Sequence, residues 1–142
     1  METAQAGTLR LVPFEARHLS LLRVQDNQRL EFDATALSAV PGDRWTAVVD
    51  GLPICCGGLV PIWPGRAYAW SVLDREAGPH MRRLTTAIRS LLDGTPWRRI
   101  EMAVDAEFEA GLRWARLLGF VPECLARSYL PTGRDAWVFV RL

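Results

Sequence analysis

The stretch from Tyr68 to Leu92 constrains this chain most, because a strand, a tight turn and an amphipathic helix follow one another there without a linker. Tyr68, Trp70 and Val72 alternate with Ala69, Ser71 and Leu73, an aromatic and β-branched pattern with almost no charge on either face. Such a strand belongs in the middle of a sheet. After Asp74-Arg75-Glu76-Ala77-Gly78, Pro79 supplies a first-turn φ. Met81, Leu84, Ile88 and Leu91 or Leu92 then recur at helical spacing until Gly94. The turn lies where a strand ends and a helix begins. Helix N–H groups converge there, and phosphate is the first ligand to consider.

The remaining elements arrange themselves around that unit. Thr8 to Phe14 reads as a first strand, followed by a helix over about Glu15 to Gln28 with Leu19, Leu22 and Val24 facing inward. Asp33 is placed to cap a short helix carrying Leu37 and Val40, which Pro41-Gly42 stops. Trp45 to Val49 alternates as a strand, and Asp50-Gly51 signals a hairpin into Ile54 to Val60. Gly57-Gly58 inside that third strand implies a bulge, or a close approach by other backbone or a ligand. Pro61, Pro64 and Gly65 turn the chain into the organising strand. Trp97 to Val104 reads as a fifth strand, and Asp105 as the cap of a helix whose buried side carries Phe108, Gly111, Leu112, Ala115 and Leu118. Gly119 is placed to end that helix in the left-handed conformation. Two final strands, Val121 to Leu130 and Ala136 to Leu142, flank a turn-rich connection.

Composition removes several function classes. The 142 residues are read as one domain over 1–142, and 49% hydrophobic with 23% charged residues is ordinary for a globular protein. All 17 basic residues are arginine, against 16 acids, so no lysine serves a Schiff base or a phosphate-loop ammonium. The arginines are spread along the chain, which gives no nucleic-acid footprint. Cys55, Cys56 and Cys124 form a poor disulfide framework and suit a reducing compartment. With His18 and His80 as the only histidines, no metal site is expected. Met1 to Thr8 lacks a signal-like pattern and no run is long enough to span a membrane, so a cytoplasmic location is expected, and no membrane partner.

The order strand, helix, helix, three strands, helix, strand, helix, two strands resembles the GNAT superfamily of acyl-CoA-dependent N-acetyltransferases over nearly the whole chain. Trp70-Ser71-Val72-Leu73 running into Gly78, and Arg113 to Phe120 with its Leu-Gly-Phe ending, carry the resemblance. The aromatic strand ending in Asp74, the Arg-rich helix and Glu123 to Tyr129 look more narrowly like GNAT-like proteins of short-tailed bacteriophages. The resemblance implies an α/β (α+β) fold with a mixed, mostly antiparallel twisted sheet of seven strands flanked by four helices. It also implies a V-shaped opening between the fourth and fifth strands, where Val72 and Leu73 offer backbone to the pantetheine of acetyl-CoA.

The diphosphate would then lie on the turn formed by Gly78, Pro79, His80, Met81, Arg82 and Arg83. Family members carry Arg or Gln there, two free positions, Gly, one free position, then Gly or Ala. Aligned on Gly78, the chain is read with Ala77 at the Arg/Gln position, His80 at the second small position and Arg82 where another glycine is common. This is a degenerate form of the loop. Arg82 and Arg83 either bind phosphate through guanidinium groups or cover a solvated helix face. A tyrosine often found four residues before the glycine of Gly-Phe falls on Ala115, and an asparagine near the start of that helix falls on about Phe108. Glu101 and Tyr129, placed on the fifth and sixth strands, are the catalytic candidates left. Two functions follow: an N-acetyltransferase acting on an unidentified amine, or a catalytically inactive GNAT-fold phage protein serving virion assembly or interaction with a phage partner, in the host cytoplasm or virion.

Overall fold

The computed structural model describes residues 7–24 and 41–142. Its elements are β1 (Leu9–Pro13), α1 (Ala16–Leu21), β2 (Asp43–Val49), β3 (Leu52–Trp63), β4 (Arg66–Leu73), a 3-10 turn (Gly78–His80), α2 (Met81–Asp93), β5 (Arg99–Asp105), α3 (Glu109–Leu117), β6 (Val121–Ala126) and β7 (Ala136–Arg141). They form a seven-stranded sheet in the order β1-β2-β3-β4-β5-β7-β6. Every neighbouring pair is antiparallel except β4 and β5, which are parallel. The mixed, mostly antiparallel sheet implied by the family resemblance is therefore present.

One face of the sheet carries the main core. Leu84, Ile88 and Leu92 of α2 are buried against Ala67 and Leu73 of β4 and Ile100 of β5, joined by Ala115 of α3 and by Leu118 and Phe120 beyond it. Each fully buried aliphatic side chain of this kind contributes about 1.5 to 3 kcal/mol. The helices α2 and α3 lie side by side on that face. The Trp114 indole N–H donates to Thr85 Oγ1 at 2.8 Å, and the Arg89 guanidinium donates to the Leu117 carbonyl at 2.8 Å. The opposite face carries a smaller cluster in which Leu19 and Leu22, at and beyond the end of α1, cover Cys56 and Val72.

Within the described residues α1 ends at Leu21, since Leu22 is already extended at ψ 138. The remainder of the expected first helix past Val24, and the short helix capped by Asp33, lie outside the described residues. The third strand is longer than its apolar run implied, because Pro61 stays paired with Ala67 and only shifts the register before Trp63. Asp105 does not cap a helix. It ends β5, and its carboxylate accepts the Glu107 N–H at 2.9 Å while α3 begins only at Glu109 after Phe108. β6 stops at Ala126 rather than Leu130, because Ser128 at φ 52 and Gly133 at φ 87 bend 127–135 into a connection.

The glycines behave as two kinds. Gly119 has φ +96, the left-handed helix ending expected of it, and the Phe120 N–H then returns to the Ala115 carbonyl at 3.1 Å. Gly57 and Gly58 are not bulged. A Cβ on Gly57 would stand 2.5 Å from the Trp45 ring, and one on Gly58 would stand 2.9 Å from Trp70 Nε1. Bare backbone at these two positions lets one indole lie on each face of β3.

Candidate active-site cleft between β4 and β5

The cleft arises from where each strand keeps its partner. β4 and β5 pair only at Arg66–Arg99, Ala67–Ile100 and Tyr68–Glu101. Beyond that point β4 remains on β3 through Ala69 to Leu73, while β5 remains on β7 through Met102 to Asp105. Past Tyr68 and Glu101 the two inner edges face each other across a gap that no β4–β5 ladder bridges. The gap opens into a cavity of ≈ 300 Å³ lined by Tyr68 to Leu73 on one side, Met102 to Asp105 on the other, and Phe108, Gly111 and Trp114 of the α3 region. Its size lies at the lower end of small-molecule sites. Val72 and Leu73 both line it. Trp45, Trp70 and Trp114 line it too. The pairing of Trp45 with Gly57 across β2 and β3 was the available signal.

At the carboxyl end of β4 the chain is held by Asp74, which is 3% exposed. Its Oδ1 accepts the Arg23 N–H at 2.7 Å, and its Oδ2 accepts the Glu76 N–H at 3.0 Å and the Arg23 guanidinium at 3.1 Å. Burial alone would raise this carboxyl, but the two N–H groups and the guanidinium outweigh it and hold it below its ordinary range. The turn's own bonds continue from there: the Arg75 N–H donates to the Arg23 carbonyl, the Ala77 N–H to Asp74, and the His80 N–H to Ala77. Four amides of the turn, those of Arg75, Glu76, Ala77 and His80, are thus committed internally.

Gly78, Pro79, Arg75 and Arg82 are exposed at this corner. Arg83 is not a spare cation, since its guanidinium contacts His80 Nδ1 at 2.8 Å and donates to the Gly7 carbonyl. His80 is therefore tied to α2 by its neighbour. Met81 is half-buried against the main core. The motif spacing itself also corrects one assignment: two free positions before Gly78 place Arg75, and not Ala77, at the Arg/Gln position. Ala77 is fully buried.

The two catalytic candidates sit in different settings. Glu101 is 8% exposed at the closed end of the split, where Arg66 donates to it at 2.9 and 2.5 Å and Arg99 at 2.6 Å. The Arg66 hydrogen bonds, opposed by burial and aided by Arg99, pull its carboxyl down to about 2, which makes it a poor proton acceptor at neutral pH. Arg99 continues the ladder to Glu123 on β6 at 3.0 Å. Glu101 thus ties β4, β5 and β6 together. Tyr129 is not on a strand but in the β6–β7 connection, 49% exposed, with its N–H on the Arg134 carbonyl. That connection stands at the open end of the cleft, because the Arg134 guanidinium holds Asp105 at 3.0 and 2.5 Å. Burial raises the Asp105 carboxyl, but Arg134 and the Glu107 N–H outweigh it and leave it lowered.

Other reactive types are placed away from chemistry. Cys55 and Cys56 are buried, and burial pushes the Cys56 thiol up to about 11 and that of Cys55 well above its ordinary value. Among the described residues no cluster of three His, Cys, Asp or Glu side chains is arranged to hold a metal, and no helix is long and apolar enough to cross a membrane.

No protein-family model matches this chain, and no curated protein matches it by sequence. Solved structures do. Ard1 from Thermoplasma volcanium superposes with a TM-score of 0.75 at 17% identity, covering 96% of this chain and 97% of that one. A spermidine N-acetyltransferase chimera from Vibrio cholerae and hSSAT gives 0.73 at 15% identity, over 94% and 95%. An acetyltransferase of the GNAT family from Bacillus anthracis gives 0.70 at 12% identity, over 97% and 96%. At such identities the likeness is one of fold. The described residues have the GNAT-type fold.

Proposed function

We propose that this protein is an acyl-CoA-dependent N-acyltransferase that binds acetyl-CoA or a related thioester between β4 and β5. One observation carries the reading: the parallel pair of strands separates after three residue pairs and opens a cavity, while each strand keeps its outer partner. In this reading the pantetheine amides run along the backbone of β4 at Val72 and Leu73, and the carboxyl end of β4 leads into the turn at Gly78. The general likeness to N-acetyltransferase structures supports this placement.

The diphosphate end differs from a bare-amide cradle. With four turn amides committed internally, the exposed guanidinium groups of Arg75 and Arg82 supply the phosphate contacts, aided by the amino end of α2. In the reaction the amine lone pair attacks the thioester carbonyl carbon, the C–S bond breaks, and CoA leaves as a thiolate that takes up a proton. Glu101 and Asp105 are both held by arginine, so neither carboxylate is suited to remove the amine proton. That proton passes to solvent, and Tyr129, in the β6–β7 connection that Arg134 ties to Asp105, is the remaining candidate acid for the thiolate.

Calorimetric titration with acetyl-CoA, followed by detection of free CoA thiol with a panel of amines, tests the reading. Saturable binding and amine-dependent thiol release support it. The same committed amides favour a second reading, a GNAT-fold phage protein that has lost the reaction and serves virion assembly or interaction. Absence of CoA binding at millimolar concentration would select that one.

A further inference from the structure

The cavity is not confined to the two strands that separate. On the α2 face it continues past β4 to Leu59 on β3 and Trp45 on β2, beneath Ile88 and Leu92 of α2 and beside Leu118. Leu59 is 3% exposed and Trp45 9% exposed, so this extension runs into the main core rather than along the surface. Its origin is visible in the sequence. Gly57 lets the Trp45 indole lie against β3, where a Cβ would stand 2.5 Å from the ring, and the β4 residues paired with Gly57 and Leu59 are the small Ser71 and Ala69. Bulkier residues at these places would have filled the volume. Protein cores close such gaps to the density of organic crystals, and apolar space left open loses contacts on every wall. A retained apolar extension is matched by a hydrocarbon chain.

We infer that the preferred donor is a CoA thioester with an acyl chain longer than acetyl, its hydrocarbon lying beneath α2 against Trp45 and Leu59. This rests on the acyltransferase reading, because the pantetheine arm in the split is what delivers the chain to the extension. The walls named carry no ionised side chain, so the chain is saturated or unsaturated hydrocarbon without a terminal charge. The transfer chemistry is unchanged: the amine nitrogen forms the bond to the carbonyl carbon, and sulfur departs.

The test is a calorimetric series on the unmodified protein with CoA, acetyl-CoA, butanoyl-CoA and hexanoyl-CoA, with free hexanoate alongside. Burial of each methylene is worth about fourfold in affinity, so hexanoyl-CoA is expected to bind at least tenfold tighter than acetyl-CoA. Leu59→Phe, which adds bulk in the extension, is expected to bring the hexanoyl-to-acetyl ratio toward one. Should that variant fail to fold, the series on the unmodified protein decides alone. Affinities that stay level or fall with chain length, while CoA itself binds, overturn this inference and leave the acyltransferase reading standing. Free hexanoate binding as tightly as hexanoyl-CoA also overturns it, since the pocket would then take a fatty acid. Failure of every CoA compound to bind removes the acyltransferase reading and this inference with it.

Discussion

Glu101→Gln separates a structural carboxylate from a catalytic one. Glu101 joins Arg66 of β4 to Arg99 of β5 at the point where the strands still pair, and Arg99 links on to Glu123. A fall of its carboxyl from 4.5 to about 2 corresponds to roughly 3 kcal/mol at 1.36 kcal/mol per unit. The Arg66 and Arg99 side chains are 28% and 29% exposed, so screening trims the figure to about 2 kcal/mol. For 142 residues the unfolding entropy is about 0.3 kcal/mol per degree, and Tm at pH 7 is expected to drop by about 7 °C. The pH dependence has a definite sign. A carboxylate whose folded value is depressed stabilises fully above its unfolded value and loses that contribution as pH falls toward the folded one. The melting gap between the two proteins should therefore be complete at pH 7, begin to narrow near 4.5, and close toward about 2. Acyl transfer per folded molecule should change little. Equal melting temperatures at pH 7, or a gap that does not narrow in acid, would refute the ladder; intact stability with abolished transfer would make Glu101 the base after all.

Gly119→Val should cost more than about 1 kcal/mol, because a β-branched residue is poorly tolerated at φ +96, whereas Gly78→Ala, with open space at its Cβ, should melt with the unmodified protein. Thermal scans that cannot distinguish the two variants count against the left-handed helix ending. Arg75→Ala with Arg82→Ala should weaken acetyl-CoA binding tenfold or more, since charge-assisted hydrogen bonds are worth about 1.5 to 3 kcal/mol each, and unchanged affinity would move the diphosphate elsewhere. Arg83→Ala should show its main effect as a lowered Tm, through its contacts to His80 and Gly7, and a larger loss of CoA affinity than the Arg75/Arg82 pair would reverse that assignment. Asp74→Asn, which weakens the side-chain acceptor shared by the Arg23 and Glu76 N–H groups, should increase hydrogen exchange at Glu76; unaltered protection there would remove Asp74 as the holder of the turn.

The sheet was legible in the sequence because its strands have simple alternation and its turns have strong chemistry. Tyr68 to Leu73 read as a strand from period alone, and Asp50-Gly51 and Gly119 read correctly because only a few residues suit those backbone angles. Asp105 misled for a physical reason: an aspartate accepting an N–H two residues on makes a turn as readily as a helix cap, and the chain needed that turn before α3. The candidate site was legible only in outline. The split was implied by the family resemblance, but the commitment of the Arg75 amide to the Arg23 carbonyl, and the hold of Arg23 on Asp74, depend on where Arg23 comes to lie, 51 residues from Asp74 in sequence. Glu101 looked like a free acid on a strand because its partners Arg66 and Arg99 meet it across strands, a pairing no local pattern encodes. The tryptophans lining the cleft were hidden in the same way, since Gly57 and Gly58 announce close approach without saying what approaches.

The most direct measurement is a crystal structure of the protein grown with acetyl-CoA at a concentration well above its calorimetric Kd. The account predicts pantetheine density between β4 and β5, with its amides on the backbone of Val72 and Leu73 and the diphosphate beside Arg75 and Arg82. Density for the cofactor at another surface, with the separated strands holding only water, would contradict it.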